Sequence, residues 1–207
     1  MKLRATSTVG AAGMAIAVLI SLWPCPVLAS GEDIISLMKT NLASGDYYST
    51  VTEGMRYRHL YPDGALVPVS LLLTGEAYYR GGNYYEAAEA FSQCYRTYRE
   101  KPEAQKALLS LGYIRLMTGS PFFALRTYQE YLYVYPDGPH REEAGIDACY
   151  ALALQSDFEG ARTALGAHNA SFPDGAYADR ARELERLIDE EVNRPRKSLA
   201  LSVGGSV

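Results

Sequence analysis

The segment Tyr135-Pro136-Asp137-Gly138 belongs to a repeat that decides the fold of this 207-residue chain. The same turn stands at Tyr61-Pro62-Asp63-Gly64 and, with phenylalanine first, at Phe172-Pro173-Asp174-Gly175. The first two copies in chain order lie 74 residues apart, twice 37, and the last two lie 37 apart. Self-similarity at a period of about 20–50 residues indicates an array of stacked structural units.

A second marker keeps the same step and divides each unit in two. Four residues of the types that cap helix N-termini through their side chains are each 37 apart: Asp46, Asn83, Ser120 and Asp157. Glycine precedes three of them, where a preceding helix needs a left-handed exit: Gly45, Gly82 and Gly119. We therefore predict that each unit consists of a helix A, a tight turn, a helix B that starts just after the cap, and a Pro-Asp-Gly segment that ends helix B.

Small residues recur at a constant phase within these units. Four residues after each cap stand Thr50, Ala87, Ala124 and Ala161. The middle of helix A carries Gly75, Gly112 and Cys149. Antiparallel helices approach closely only where neither carries a large side chain, so these positions predict where helix A crosses helix B.

We therefore predict an all-α fold, a right-handed superhelical solenoid of antiparallel helix hairpins. The four hairpins are expected at 31–67, 68–104, 105–141 and 142–178. An amphipathic helix at 176–192 is expected to cover the last hairpin with its apolar stripe. Residues 193–207 are expected to form a tail, and the small, apolar run within them could instead open a membrane segment of a longer chain.

The first 29 residues are typical of a secretory signal peptide. Lys2 and Arg4 precede an apolar run at 13–23 that is short for a membrane span, and Ala29 offers a small residue for cleavage before Ser30. Two alternatives stay open: lipid attachment at Cys25, or an uncleaved membrane anchor. The sequence thus predicts an exported, periplasmic or envelope-associated protein, with membrane association through either terminus as an alternative.

Composition and motifs argue against several classes of function. The formal net charge is -4, and removal of residues 1–29 would make it -6, so no basic face for nucleic acid is expected. The three histidines are isolated in sequence: His59, His140 and His168. Cys94 and Cys149 lack metal-ligand spacing and are expected to be buried free thiols. No nucleophile or phosphate-binding motif occurs, so we predict no enzyme, no cofactor and no metal site.

The repeat resembles a known family. The series Leu73-x-Gly75-x-x-Tyr78, followed by Ala87, Phe91 and a Pro-Asp exit, is similar to the tetratricopeptide repeat. The third unit carries the matching residues Leu111, Gly112, Ala124, Tyr128 and Pro136. The 37-residue step with its Tyr-Pro-Asp ending resembles the repeats of the bacterial Tol–Pal-associated division coordinator and of the outer-membrane assembly lipoprotein. This resemblance implies a binding scaffold in a bacterial envelope.

The resemblance also implies where a partner would bind. In tetratricopeptide arrays helix A lines the concave face, so helix A residues outside the packing positions face a partner protein or peptide. The candidate partner-binding residues are Tyr79, Arg80, Tyr113, Leu116, Met117 and Tyr150. For Tyr113 and Leu116, packing between helices is an equal alternative. The rival functions are a self-assembling structural subunit and, third, an enzyme or ligand-binding protein.

Overall fold

A computed structural model of the chain describes residues 30–194, and within that range it contains nine α-helices and no strand. The helices are α1 Gly31–Ser44, α2 Tyr47–Leu60, α3 Val67–Arg80, α4 Tyr84–Thr97, α5 Pro102–Met117, α6 Pro121–Val134, α7 Arg141–Leu154, α8 Phe158–Ser171 and α9 Ala178–Asn193. None of these helices is long and apolar enough to cross a membrane. The predicted signal peptide and most of the predicted tail lie outside the described residues.

Each helix packs on the next along the chain, and each odd-numbered helix also contacts the following odd-numbered one. The odd-numbered helices α1, α3, α5 and α7 are the A helices of four hairpins, and α9 continues their layer. The even-numbered helices are the B helices. This arrangement confirms the predicted all-α helical repeat solenoid.

The turns between helices A and B follow the 37-residue step. The four B helices begin at the residue after the expected caps, at Tyr47, Tyr84, Pro121 and Phe158. A left-handed backbone precedes each cap, with φ of 82°, 78° and 71° at Gly45, Gly82 and Gly119, and of 62° at Ser156. The fourth turn therefore adopts the same conformation without glycine, at the small cost that a left-handed serine carries.

Side-chain capping was predicted at all four positions and occurs at two. The Ser49 amide donates to the Asp46 carboxylate at 3.0 Å, and the Gly160 amide donates to Asp157 at 2.9 Å. The prediction was wrong for Asn83 and Ser120, whose side chains make no capping bond. A carboxylate is the stronger acceptor at the positive end of a helix, which agrees with bonds at Asp46 and Asp157 and none at Asn83 and Ser120.

The crossing of helices A and B packs an aromatic ring directly against a glycine. A Cβ added at Gly75 would lie 2.6 Å from the Phe91 ring, and one at Gly112 would lie 2.5 Å from the Tyr128 ring. Both rings are buried, 1% and 0% exposed. The second and third hairpins thus each contain the same contact between a glycine and an aromatic ring, since Phe91 and Tyr128 are 37 residues apart.

The two cysteines of the described range are free and buried, as predicted. Burial raises the pKa of the Cys94 thiol to about 12 and that of the Cys149 thiol to about 11. Because the reactive species is the thiolate, both sulfurs are expected to be inert packing groups.

Replacing Gly112 with alanine should lower the free energy of unfolding by about 1–3 kcal/mol, because the new methyl group overpacks the crossing against Tyr128. The matched control is Gly166→Ala in α8, where nothing lies within 4 Å of an added Cβ. That change should instead stabilise the protein by about 0.5–1 kcal/mol, because alanine favours a helix over glycine. Urea unfolding followed by circular dichroism measures both, and a Gly112→Ala protein as stable as the parent would contradict the tight crossing.

Candidate partner-binding groove

A groove of about 290 Å³ lies across three A helices, α3, α5 and α7. Its apolar part is formed by Phe91 of α4 and by Leu109 and Ile114 of α5. Tyr79 and Tyr113 form its aromatic wall. The groove is therefore amphipathic, with apolar side chains in its floor and tyrosines, which carry hydroxyl groups, in its wall.

The two wall tyrosines hold each other in place. Their ring centroids are 5.8 Å apart with the planes at 78°, an edge-to-face contact, and the ring centroid of Tyr84 in α4 lies 6.0 Å from that of Tyr79. The neighbouring Tyr113 hydroxyl, followed by burial, raises the pKa of Tyr79 to about 12. Tyr113 keeps 42% of its surface exposed, so this wall presents a fixed ring to solvent at little further cost in side-chain entropy.

The carboxylates that line the groove are each held by a side chain of the same chain. Glu76 pairs with Arg80 at 2.7 Å, and Glu143 lies 3.4 Å from the imidazole of His140. Lys106, by contrast, is exposed in the groove and pairs with no carboxylate of residues 30–194. This ammonium is available to pair with an incoming acidic group.

Asp147 closes the groove toward the C-terminal helix. Its carboxylate is 6% exposed and accepts from the Arg180 guanidinium of α9, which lies 5.4 Å from the Tyr150 ring and 5.4 Å from the Tyr177 ring. Burial raises the pKa of Asp147, and the bonded Arg180 opposes that rise. This pair ties α9 to α7 and occupies the end of the layer of A helices.

The structure separates the six candidate residues into different surroundings. Tyr79 and Tyr113 meet in the groove, and Met117 lies further along α5 with 53% of its surface exposed. Arg80 is exposed but engaged with Glu76, and Leu116 packs against the core cluster around Tyr128.

Tyr150 is not part of this groove. It lies under Arg180 and lines a separate apolar groove of about 240 Å³ with Leu154 and residues of α8 and α9. Of the six candidates, Tyr79 and Tyr113 line the groove.

Sequence reasoning missed the residues that lie one and two turns before Tyr113 and Tyr150 on helix A. Lys106 and Glu143 are 37 residues apart, and so are Ser110 and Asp147, all four in the groove lining. The 37-residue step places these residues at equivalent positions of successive units, so the sequence alone could have identified them. The signal in the sequence was Asp147, a charged residue at a repeat position that is buried. Burying a carboxylate without a partner costs free energy, so such a residue indicates a nearby cation or a site.

Among residues 30–194 no three histidine, cysteine, aspartate or glutamate side chains come together as a metal-binding group.

Comparison with solved structures supports the fold. The chain is similar to nearly identical TPR-like repeats of a protein of Podosopora anserina assigned as a kinesin light chain, with 14% identity and a TM-score of 0.57 over 79% of this chain and 97% of that one. A single-substitution variant of the same repeats gives 14% identity and a TM-score of 0.58 over 79% and 96%. No protein-family model matches the chain, and no curated protein matches it. At this identity the likeness shows the fold, which is the tetratricopeptide-like one.

Replacing Arg180 with methionine should lower the free energy of unfolding by about 2 kcal/mol at pH 7, because the buried Asp147 carboxylate loses its cation. This is less than the roughly 3–5 kcal/mol expected for a fully buried pair, because 42% of the Arg180 side chain is exposed to solvent. The control is Arg186→Met on the exposed side of α9, which breaks only surface pairs with Glu183 and Glu190 and should have little effect.

The destabilisation by Arg180→Met should shrink as the pH falls. Without its cation, burial and the nearby Glu143 carboxylate hold the pKa of Asp147 above the unfolded value of about 3.9. The penalty is therefore complete above the folded pKa and vanishes below the unfolded pKa, where the carboxyl is protonated in both states. Urea unfolding of the variant and the parent at pH 7, 5 and 4 tests this, and a pH-independent difference would contradict it.

Proposed function

We propose that this tetratricopeptide-like array is a non-enzymatic scaffold that binds a partner protein or an extended peptide in the groove across α3, α5 and α7. The observation that carries the proposal is the fixed tyrosine wall of a groove of about 290 Å³ whose floor is apolar. Tyr79 and Tyr113 are held edge to face, yet Tyr113 stays 42% exposed. Aromatic residues are enriched at protein interfaces because they bury a large area with few rotatable bonds.

The groove chemistry specifies the kind of segment that fits. Leu109, Ile114 and Phe91 favour an apolar side chain, and the tyrosine hydroxyls offer hydrogen bonds along the wall. Lys106 lines the groove and forms no ion pair within residues 30–194, so an acidic side chain next to the apolar one would add an ion pair. We therefore propose an extended segment with one apolar anchor and a neighbouring carboxylate.

The place of action is proposed from sequence alone. The leader-like residues 1–29 support export to a bacterial envelope, and the 37-residue step is similar to repeats of envelope proteins. In this proposal the scaffold serves envelope assembly or maintenance by positioning its partner, and it needs no cofactor.

Replacing Tyr113 and Met117 together with alanine should weaken capture of the partner from envelope extracts by at least about 30-fold, because truncated interface anchors cost roughly 2 kcal/mol or more. The melting temperature should change little, since both side chains are about half exposed. Affinity capture from crosslinked extracts, quantified by mass spectrometry, gives the first readout and thermal unfolding the second.

The matched control is Tyr85→Ala on α4, a tyrosine with 82% of its surface exposed and outside the groove lining. This variant should capture the same partner at the parental level. A Tyr113/Met117 variant that folds and still captures every partner would contradict the groove as the binding surface.

A second candidate function, assembly with copies of itself, has one observation in its favour. Exposed aromatic side chains stand at the same repeat position on three B helices: Tyr48, Tyr85 and Phe122, exposed by 83%, 82% and 55%. Self-assembly through this column predicts a sedimentation coefficient that rises with protein concentration and no longer rises after Tyr85→Ser. A monomer at all concentrations would leave the partner scaffold as the surviving function.

A further inference from the structure

A second cavity, of about 310 Å³, lies among α6, α7 and α8 and shares no lining residue with the groove across α3, α5 and α7. We call it the fourth-hairpin cavity. Small side chains line it on two helices, Gly145 and Ala148 of α7 and Ala164 and Ala167 of α8. The cavity opens to solvent, and its volume exceeds that of the enclosed cavity of about 150 Å³ that holds benzene in an engineered protein core, so it has room for a larger apolar group.

The cavity arises from substitutions within the repeat. Gly145 stands 37 residues after Leu108 and 74 after Leu71, two leucines that are each 1% exposed. The fourth hairpin therefore lacks a large core side chain that the second and third hairpins contain. The ring of His168 takes part of that space, with Nδ1 at 2.8 Å from where a Cβ on Gly145 would lie.

His168 brings a polar group with no hydrogen-bond partner to the cavity wall. The residue is only 7% exposed, it lines the cavity, and neither ring nitrogen hydrogen-bonds to any group in residues 30–194. The ring nitrogens keep contact with solvent at the cavity wall, so a ligand oxygen can accept a hydrogen bond from the ring in place of water. Because burial lowers the pKa of His168, its imidazole is neutral at neutral pH and offers one N–H donor.

A cation stands at the same edge of the cavity. The Arg141 guanidinium lies 5.0 Å from the Phe172 ring, and the His168 ring lies 5.2 Å from that same ring. Arg141 forms no ion pair within residues 30–194 and is exposed to solvent. One phenylalanine ring is thus flanked by a neutral N–H donor and by an arginine that lacks a carboxylate.

We propose that the fourth-hairpin cavity binds a small carboxylic acid with an apolar chain, such as a medium-chain fatty acid. The carboxylate meets Arg141 and accepts from His168, and the chain lies along the alanines of α7 and α8. Charge complementarity selects the anion, since Arg141 offers a fork of donors that matches a carboxylate. This ligand site is independent of the partner-binding groove.

Octanoate is the probe, compared with octanol of the same chain length, by calorimetric titration and by NMR shifts of methyl groups lining the cavity. Octanoate should bind saturably and at least tenfold more tightly than octanol. Arg141→Gln should weaken octanoate at least tenfold and leave octanol unchanged. The control Arg126→Gln removes the same charge from exposed α6 outside the cavity lining and should leave both ligands unchanged.

Ala167→Leu tests whether the apolar chain of the ligand occupies the cavity, and it leaves the Arg141 charge unchanged. Residue 167 is exposed at the cavity edge, so the added side chain should fill the space without unfolding the protein, which a melting curve checks. Both octanoate and octanol should then bind at least tenfold more weakly. The proposal is overturned if octanoate shows no saturable binding, or if Arg141→Gln and Arg126→Gln weaken it equally.

Discussion

The close approach of helix A to helix B, made possible by glycine beneath an aromatic ring, is the contact on which this structure depends. With Gly75 under Phe91 and Gly112 under Tyr128, the helices of a hairpin approach so closely that an added Cβ would overlap the ring. That approach commits the rings of Phe91 and Tyr128 to the core. The A helices are then free to contact one another in a layer of their own. The groove is a product of that layer, because its wall tyrosines Tyr79 and Tyr113 come from the neighbouring A helices α3 and α5.

Departures from the repeat account for the individual features of the molecule. Asp147 replaces a serine of the preceding unit and, with Arg180, fixes the last helix to the layer. Gly145 replaces a leucine and leaves the fourth-hairpin cavity. The hairpins share their packing, whereas each surface property depends on residues that one unit has and its neighbours lack. This division is expected of a repeat protein, whose units stabilise one another through nearest-neighbour contacts.

The 37-residue step was enough to predict the helices, the turns and the crossing points, since all three depend on local backbone chemistry and on side-chain size. It did not resolve which turn of helix A faces the groove. Leu116 and Tyr150 were chosen with Tyr79 and Tyr113, yet one packs on the core and the other lies under Arg180. Their surroundings depend on the angle between neighbouring hairpins and on a side chain from α9, which no single repeat contains. Local hydrogen bonds were equally hidden, since cap type alone did not distinguish Asp46 from Asn83.

Site-specific photo-crosslinking in the intact cell tests the central claim most directly, because it reports which surface touches the partner where the protein works. A photoreactive phenylalanine at position 113 lies in the groove wall, and one at position 85 lies on an exposed part of α4. The account predicts a discrete crosslinked protein from position 113 and none from position 85. A crosslink from position 85 alone would contradict it and place the partner on the B helices.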